Sequence, residues 1–233
     1  MKFDFHTHSK YSADGYVDPK IMVKVAAKVG LSGIAVTDHN TIKGGLEAKK
    51  YDNNEFEVIV GSEILTDKGE IIGIFLTDEI NSKKFFEVID EIKAQNGIII
   101  VPHPFDAIRN TSIRPNSEYA HFIDSVEVFN SRCLLQKYND MARIYSEDNG
   151  LNIIAGSDAH FENEIGNAGV FTESDNIRDA VLNGDFTIFG KRSNIINPVT
   201  TKLLKIWRNS NSKWDYVRLS VSFKIYRTIK LIK

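Results

Sequence analysis

Apolar residues in this chain fall into short runs separated by longer stretches in which they recur every three or four positions. The runs at 2–5, 33–36, 57–60, 71–76, 98–101, 125–128, 152–155 and 186–189 predict strands. Between them the helical period takes over. Pro19 opens the segment IMVKVAAKVG at a favoured first-turn position and Gly30 closes it, and 83–96 and 134–149 repeat the pattern before Gly97 and Gly150. Strands alternating with helices predict an α/β fold with a parallel sheet, closed as a barrel or doubly wound.

Polar residues interrupt this pattern in one kind of place. His6, His8, Asp38, His39, Glu63, His103, Asn130, Asp158 and His160 all end a predicted strand or directly follow one. In a barrel or an open parallel sheet that is the end where chemistry is built. Of 6 histidines, only His121, in EYAHFID, lies elsewhere, and it reads as a surface residue.

Composition narrows the class without naming a function. With 233 residues, 42% apolar and 26% charged, the chain suits one soluble globular domain and excludes disordered and fibrous classes. The net charge of -2 conceals a division. Residues 1–190 hold 18 Lys and Arg against 30 Asp and Glu, a charge of -12, whereas 191–233 hold 11 against Asp215 alone, or +10. We therefore expect a domain at 1–190 and a basic C-terminal extension at 191–233. The single cysteine, Cys133, excludes an internal disulfide and fits the cytoplasm. The opening MKFDFHTHSKYS lacks the apolar stretch of a signal peptide, and no window approaches the roughly 18 apolar residues of a spanning helix.

His6 and His8 are two apart on a strand, so both imidazoles face one side and can reach one ion. Singly, each neighbour has a plainer reading: Asp38 or Asn40 as a helix cap, His103 before Pro104 as a turn residue, Asp14 as an Asx turn before Gly15. Together they form a donor set of imidazoles and carboxylates without thiolate, which suits zinc, manganese or iron(II). So many donors call for two or three divalent ions, an arrangement used for hydrolysis at phosphorus.

In order, FHTHSKYSADG, IAVTDHNTIKG, VGSEI, VPHPFD, VEVFNSR and AGSDAH resemble the PHP (polymerase and histidinol phosphatase) family, short stand-alone type, from Lys2 to about Gly169. The resemblance implies a distorted seven-stranded (β/α)7 barrel, TIM-like and related to the amidohydrolases, with a trinuclear metal centre hydrolysing phosphoesters. It places His6, His8, Glu63 and Asp158 on a first metal. Glu63 bridges to a second that also takes His103, and Asp14, His39 and His160 hold a third. Asp14 stands where some members have histidine. Glu70, in GEIIGIF, stands where the family often has a histidine, and reads either as a ligand of the second metal or as a solvated turn residue. Asn130, in VFNSR, also replaces a histidine of some relatives, and reads as a weak ligand or a substrate hydrogen-bonder.

An anionic substrate needs donors, and Arg132, then Arg109, suit a bidentate grip on phosphate, with Lys10 and Lys43 in the loops after the first two strands. The catalytic group expected is Glu63, Asp158, His160 and Arg132. A metal-bridging hydroxide attacks phosphorus, Arg132 neutralises charge, and Asp158 or His160 moves a proton. The expected substrate is a small phosphorylated metabolite, a nucleotide-type phosphomonoester first. The alternatives are amidohydrolase-like cleavage of C–N or C–O bonds, disfavoured because Glu63 stands where those enzymes often use a carboxylated lysine, and a degenerate metal-binding assembly module.

The extension predicts a short basic amphipathic helix around Leu203, Leu204, Ile206 and Trp207, then alternation over 217–225 and a helical spacing at Ile225, Ile229 and Ile232. Three uses are open: its apolar side packs on the barrel or on a second subunit of a homo-oligomer, it lies on an anionic membrane, or it draws in nucleic acid.

Overall fold

Asp18 starts the first helix by accepting a hydrogen bond from the Lys20 amide at 3.0 Å, with Pro19 in the first turn where its missing N–H costs nothing. The buried stripe Pro19, Met22, Val23 and Ala26 seats that helix on the sheet. The computed structural model describes residues 1–210, so the readings at 217–225 and 225–232 lie outside the described residues. In order the elements are β1 (Lys2–Thr7), α1 (Pro19–Lys28), β2 (Gly33–Val36), α2 (Lys43–Lys49), β3 (Glu57–Thr66), β4 (Gly69–Ile74), α3 (Phe85–Ala94), β5 (Ile98–Val101), α4 (Ser117–Ala120), β6 (Ser125–Asn130), α5 (Gln136–Asn149), β7 (Asn152–Gly156), β8 (Ala168–Phe171), α6 (Ile177–Asn183), β9 (Thr187–Gly190) and α7 (Ile196–Ser210).

The strands form one sheet in the order β7-β6-β5-β4-β3-β2-β1-β8-β9. Strands β1 to β7 curl until β7 returns to β1, where Thr7 pairs with Ala159 and the Asp4 carboxylate accepts the Ser157 amide at 2.9 Å. The result is the distorted, nearly closed α/β barrel expected. Its sheet is not wholly parallel. Only two residues separate β3 from β4, too few for a crossover, so β4 runs antiparallel to β3 and also to β5. Strand β8 was not foreseen, and the strand expected at 186–189 forms one residue later, antiparallel to β8.

One apolar cluster draws Phe3 and Phe5 from β1, Ile59 from β3, Ile72 and Ile74 from β4, Ile98 and Ile100 from β5 and Ile154 from β7, with α6 packed against it. Burial of each such side chain contributes about 1.5–3 kcal/mol. Parallel pairing of β1 with β2 and β3, and of β5 with β6 and β7, points their C-terminal ends the same way, which gathers the polar strand ends at one mouth.

The basic helix expected in the extension is present as α7, with Leu204 half-buried and Leu203 turned outward. Asn197 and Thr201 are buried, while Val199 and Leu203 are 56% and 61% exposed. The surface α7 meets is the polar mouth of the barrel, where Thr201 and Lys205 pair with Arg132 and Asp14. Among the described residues no helix is long and apolar enough to cross a membrane.

Candidate metal centre

Strand β1 points His6 and His8 to one side, and their Nε2 atoms stand 3.0 Å apart. His6 Nδ1 is held by Glu127 at 3.0 Å and His8 Nδ1 by Ser12 at 3.1 Å, which leaves both Nε2 lone pairs facing inward. Glu63, from β3, and Asp158, just past β7, complete the group: His8 Nε2 lies 3.4 Å from Glu63 Oε2 and 3.4 Å from Asp158 Oδ1. Such spacing suits donors sharing one tetrahedral ion at about 2.0–2.2 Å each. The Oδ1 atoms of both Asp14 and Asp158 are buried without a hydrogen-bond partner, a costly state that a cation relieves. The donor set therefore fits divalent metal.

A second position lies on the other side of Glu63. His103 Nε2 is 2.9 Å from Glu63 Oε1 and 3.8 Å from Glu70 Oε2. Glu70, the second residue of β4, shares a face with Glu63 in the hairpin register and is 6% exposed, so it is not a solvated turn residue. Burial, then the neighbouring Glu63 carboxylate, raises its pKa. In a third position Asp14 Oδ1 lies 3.5 Å from His39 Nε2 and 3.4 Å from His160 Nε2. All nine residues expected as ligands thus converge.

Burial alone would raise the pKa of Glu63 and of Asp158, yet His6 and His39 hold Glu63, and Arg109 holds Asp158, well below the carboxylate range. Burial brings His8 down to about 3, keeping it neutral as a ligand must be. His39 differs. Burial lowers it, but Glu63, Asp14 and Glu70 outweigh that and push it up to about 9. In metal-free protein this proton stabilises the fold below the ordinary value of 6.5, a contribution lost as pH rises through about 9. An ion must displace it, so zinc or manganese affinity at the His39 position should rise about tenfold per pH unit from 7 to 9. Calorimetric titration across that range, in buffers of different ionisation enthalpy, reads the released proton; a flat affinity would exclude His39 as a ligand.

Several residues that hold these donors were missed. Glu127, buried in β6, accepts from Asn130 Nδ2 at 3.0 Å and from the His103 amide at 2.8 Å besides fixing His6. A charge inside the apolar run SVEVF was the available signal. Asp38 accepts from the Ser9 amide at 2.7 Å and from the Ser12 hydroxyl, bracing the loop that carries Asp14. Gly156 is required because a Cβ there would come within 2.3 Å of the His6 Cβ. Glu127→Ala should weaken metal affinity about 10- to 100-fold while leaving every ligand in place; competition with a chromogenic chelator measures this, and unchanged affinity would refute the orienting role.

A cavity of about 250 Å³ opens over the cluster, with Arg109 and Arg132 in its wall. Arg109 Nη2 binds Asp158 Oδ2 at 2.6 Å and its Nε reaches Asp106 at 3.2 Å, leaving Nη1 without a partner among the described residues. Arg132, ranked first from sequence, is engaged within the protein: Nε lies 3.1 Å from Glu164 as an ion pair without a hydrogen bond, Nη1 is 2.7 Å from His160 Nδ1, and Nη2 donates to Thr201. Asn130 lies behind the ligands, donating to Glu127 and Asp158, and neither it nor Lys10 nor Lys43 lines the cavity. Lys10 instead pairs with Asp18 at 2.7 Å, and Lys43 is exposed at the start of α2. His121 is exposed as expected. Two site residues, His103 and Asp158, hold positive φ of 30° and 55°, strain that the surrounding hydrogen bonds sustain.

Comparison with known proteins gives a family and a fold. The family model described as PHP domain matches residues 4–229. Two uncharacterised proteins of Methanocaldococcus jannaschii are similar: one is 42% identical over 144 residues, covering 56% of this chain and 82% of that protein, the other 32% over 246 residues, covering 100% and 97%. Among solved structures, a two-domain protein from Bacteroides vulgatus containing a predicted PHP-like metal-dependent phosphoesterase superposes with TM-score 0.69 at 24% identity, covering 87% of this chain and 69% of that one. PsfC from Pseudomonas syringae superposes with TM-score 0.63 at 15% identity, covering 90% and 98%.

Proposed function

The chain belongs to the PHP domain family, and from that premise we propose that it is a metal-dependent phosphoesterase acting on a small phosphorylated metabolite, a nucleotide-type phosphomonoester first. The observation that carries this reading is the convergence of nine imidazole and carboxylate donors beneath a cavity whose wall holds two arginines. His6, His8, Glu63 and Asp158 would hold one ion, Glu63, Glu70 and His103 a second, and Asp14, His39 and His160 suit a third. When bound, such ions activate water and neutralise charge on phosphoryl oxygens.

The chain's own residues supply the rest. Arg109, with Nη1 free, donates to a non-bridging phosphoryl oxygen. It also keeps Asp158 ionised, with Oδ2 held and Oδ1 turned toward the donors it shares with His6, His8 and Glu63. Arg132 holds His160 and Thr201 in place at the cavity wall. A volume of about 250 Å³ suits a compact substrate and leaves little room for a long polymer.

The test is phosphate release from mononucleotides, aryl phosphates and diesters by protein loaded with manganese, iron or zinc, beside amide and lactone substrates. Monoester turnover, fastest with a nucleotide, is expected. Turnover confined to C–N or C–O bonds would replace the reading with the amidohydrolase-like one, and no turnover under any loading would favour a binding module.

A further inference from the structure

The C-terminal helix α7 reaches the metal centre through one side chain. Lys205 Nζ lies 3.1 Å from Asp14 Oδ2, while Asp14 Oδ1, buried and without a hydrogen-bond partner, faces His39 and His160. One carboxylate is thus shared between a tethered ammonium and the two imidazoles His39 and His160. Thr201, one turn earlier, accepts from Arg132 Nη2 at 2.6 Å and fixes the helix over the cavity. Pro198, Thr201, Lys202 and Lys205 together form one wall of that cavity.

We propose that Lys205 is a built-in competitor for the Asp14 position, so that a metal ion binds there last and weakest, and only as the Lys205 end of α7 lets go. The inference rests on the metal-centre reading above. Its physical basis is charge. An ammonium on Oδ2 and a divalent ion on Oδ1 of the same carboxylate are two cations only a few ångströms apart, and each already satisfies the single negative charge of Asp14. The first two positions are better supplied with negative charge. They hold Glu63, Asp158 and Glu70, and Asp158 alone has a cation, Arg109, bonded to its other oxygen. There the cost is offset because Glu63 lies in the same group, whereas at the third position Asp14 is, among the described residues, the carboxylate that faces both His39 Nε2 and His160 Nε2, Glu63 lying on the Nδ1 side of His39. By linkage, whatever the ion does to α7, α7 does to the ion.

Lys205 carries its charge on a half-exposed side chain, 51% accessible, so its replacement leaves the barrel core untouched. The experiment is equilibrium dialysis against graded manganese or zinc, with bound metal counted by mass spectrometry, for the native chain, Lys205→Gln and Lys205→Arg. The native chain should bind two ions tightly and a third at least tenfold more weakly. Lys205→Gln should tighten the third by at least tenfold and leave the first two alone, and Lys205→Arg should keep the native pattern. Hydrogen exchange gives a second readout: amides of 196–205 should exchange faster as the third ion is added to the native chain. Three equally tight ions in the native chain, or a third ion that Lys205→Gln leaves unchanged or weakens, would overturn the proposal. Fewer than two tight ions in the native chain would instead remove the metal-centre reading on which it stands.

Discussion

Glu63→Gln is expected to lower phosphoester turnover by at least about 10³-fold and to cost the protein its second ion. Both oxygens of Glu63 are used: Oε2 stands 3.4 Å from His8 Nε2 and 3.5 Å from His6 Nε2, and Oε1 stands 2.9 Å from His103 Nε2. Gln keeps the shape and one oxygen but removes the charge that joins the two positions. The four imidazoles around it, those of His6, His8, His39 and His103, supply no negative charge to replace the one lost where divalent ions must sit. A loss of 10³-fold corresponds to about 4 kcal/mol of transition-state stabilisation, within what metal activation supplies. Turnover and metal content should be measured on the same sample. Native levels of both in Glu63→Gln would remove Glu63 from the site and with it the proposed chemistry.

Arg132→Met is expected to destabilise the fold by about 3–5 kcal/mol, lowering the thermal midpoint by about 10 °C, and to slow turnover by about 10²-fold. Arg132 is 6% exposed and Glu164 is 0% exposed, with 3.1 Å between Nε and Oε1. Burial already raises the Glu164 pKa, and Arg132 is the principal influence lowering it. Removing the arginine therefore strands a carboxylate that also accepts the amides of His160 and Phe161. Adding Glu164→Gln should restore most of the midpoint, because the amide keeps an acceptor without the charge. It should not restore turnover, since His160 and α7 have still lost their common neighbour. A double variant no more stable than Arg132→Met, or an Arg132→Met as active as the native chain, would refute this account.

The candidate ligands were legible because they are local. His6 and His8 follow from the two-residue period of a strand, and Asp158 and His160 from their place beyond an apolar run. Glu70 was legible only as an ambiguity. Whether it faces water or metal depends on hairpin register, and a slip of one residue would turn it outward. Glu127 and Glu164 were missed for a different reason. Glu127 meets His6 across 121 positions of sequence, and no local pattern announces such a partner. The engagement of Arg132 with Glu164 and Thr201 was equally illegible, since the contact with α7 spans 69 positions.

What the sequence determined by itself was the alternation of strand and helix, the gathering of imidazoles and carboxylates at strand ends, and hence a metal-binding barrel. Hydrophobic period and donor chemistry are properties of short segments and survive without the fold. Only the tertiary structure decided which strands reverse, which carboxylates face inward, which arginine keeps a free donor, and which side of the basic helix meets the barrel. Each of those depends on how register and closure bring distant charges into one dry mouth, where an unpaired group is costly and nearly every polar atom must find a partner.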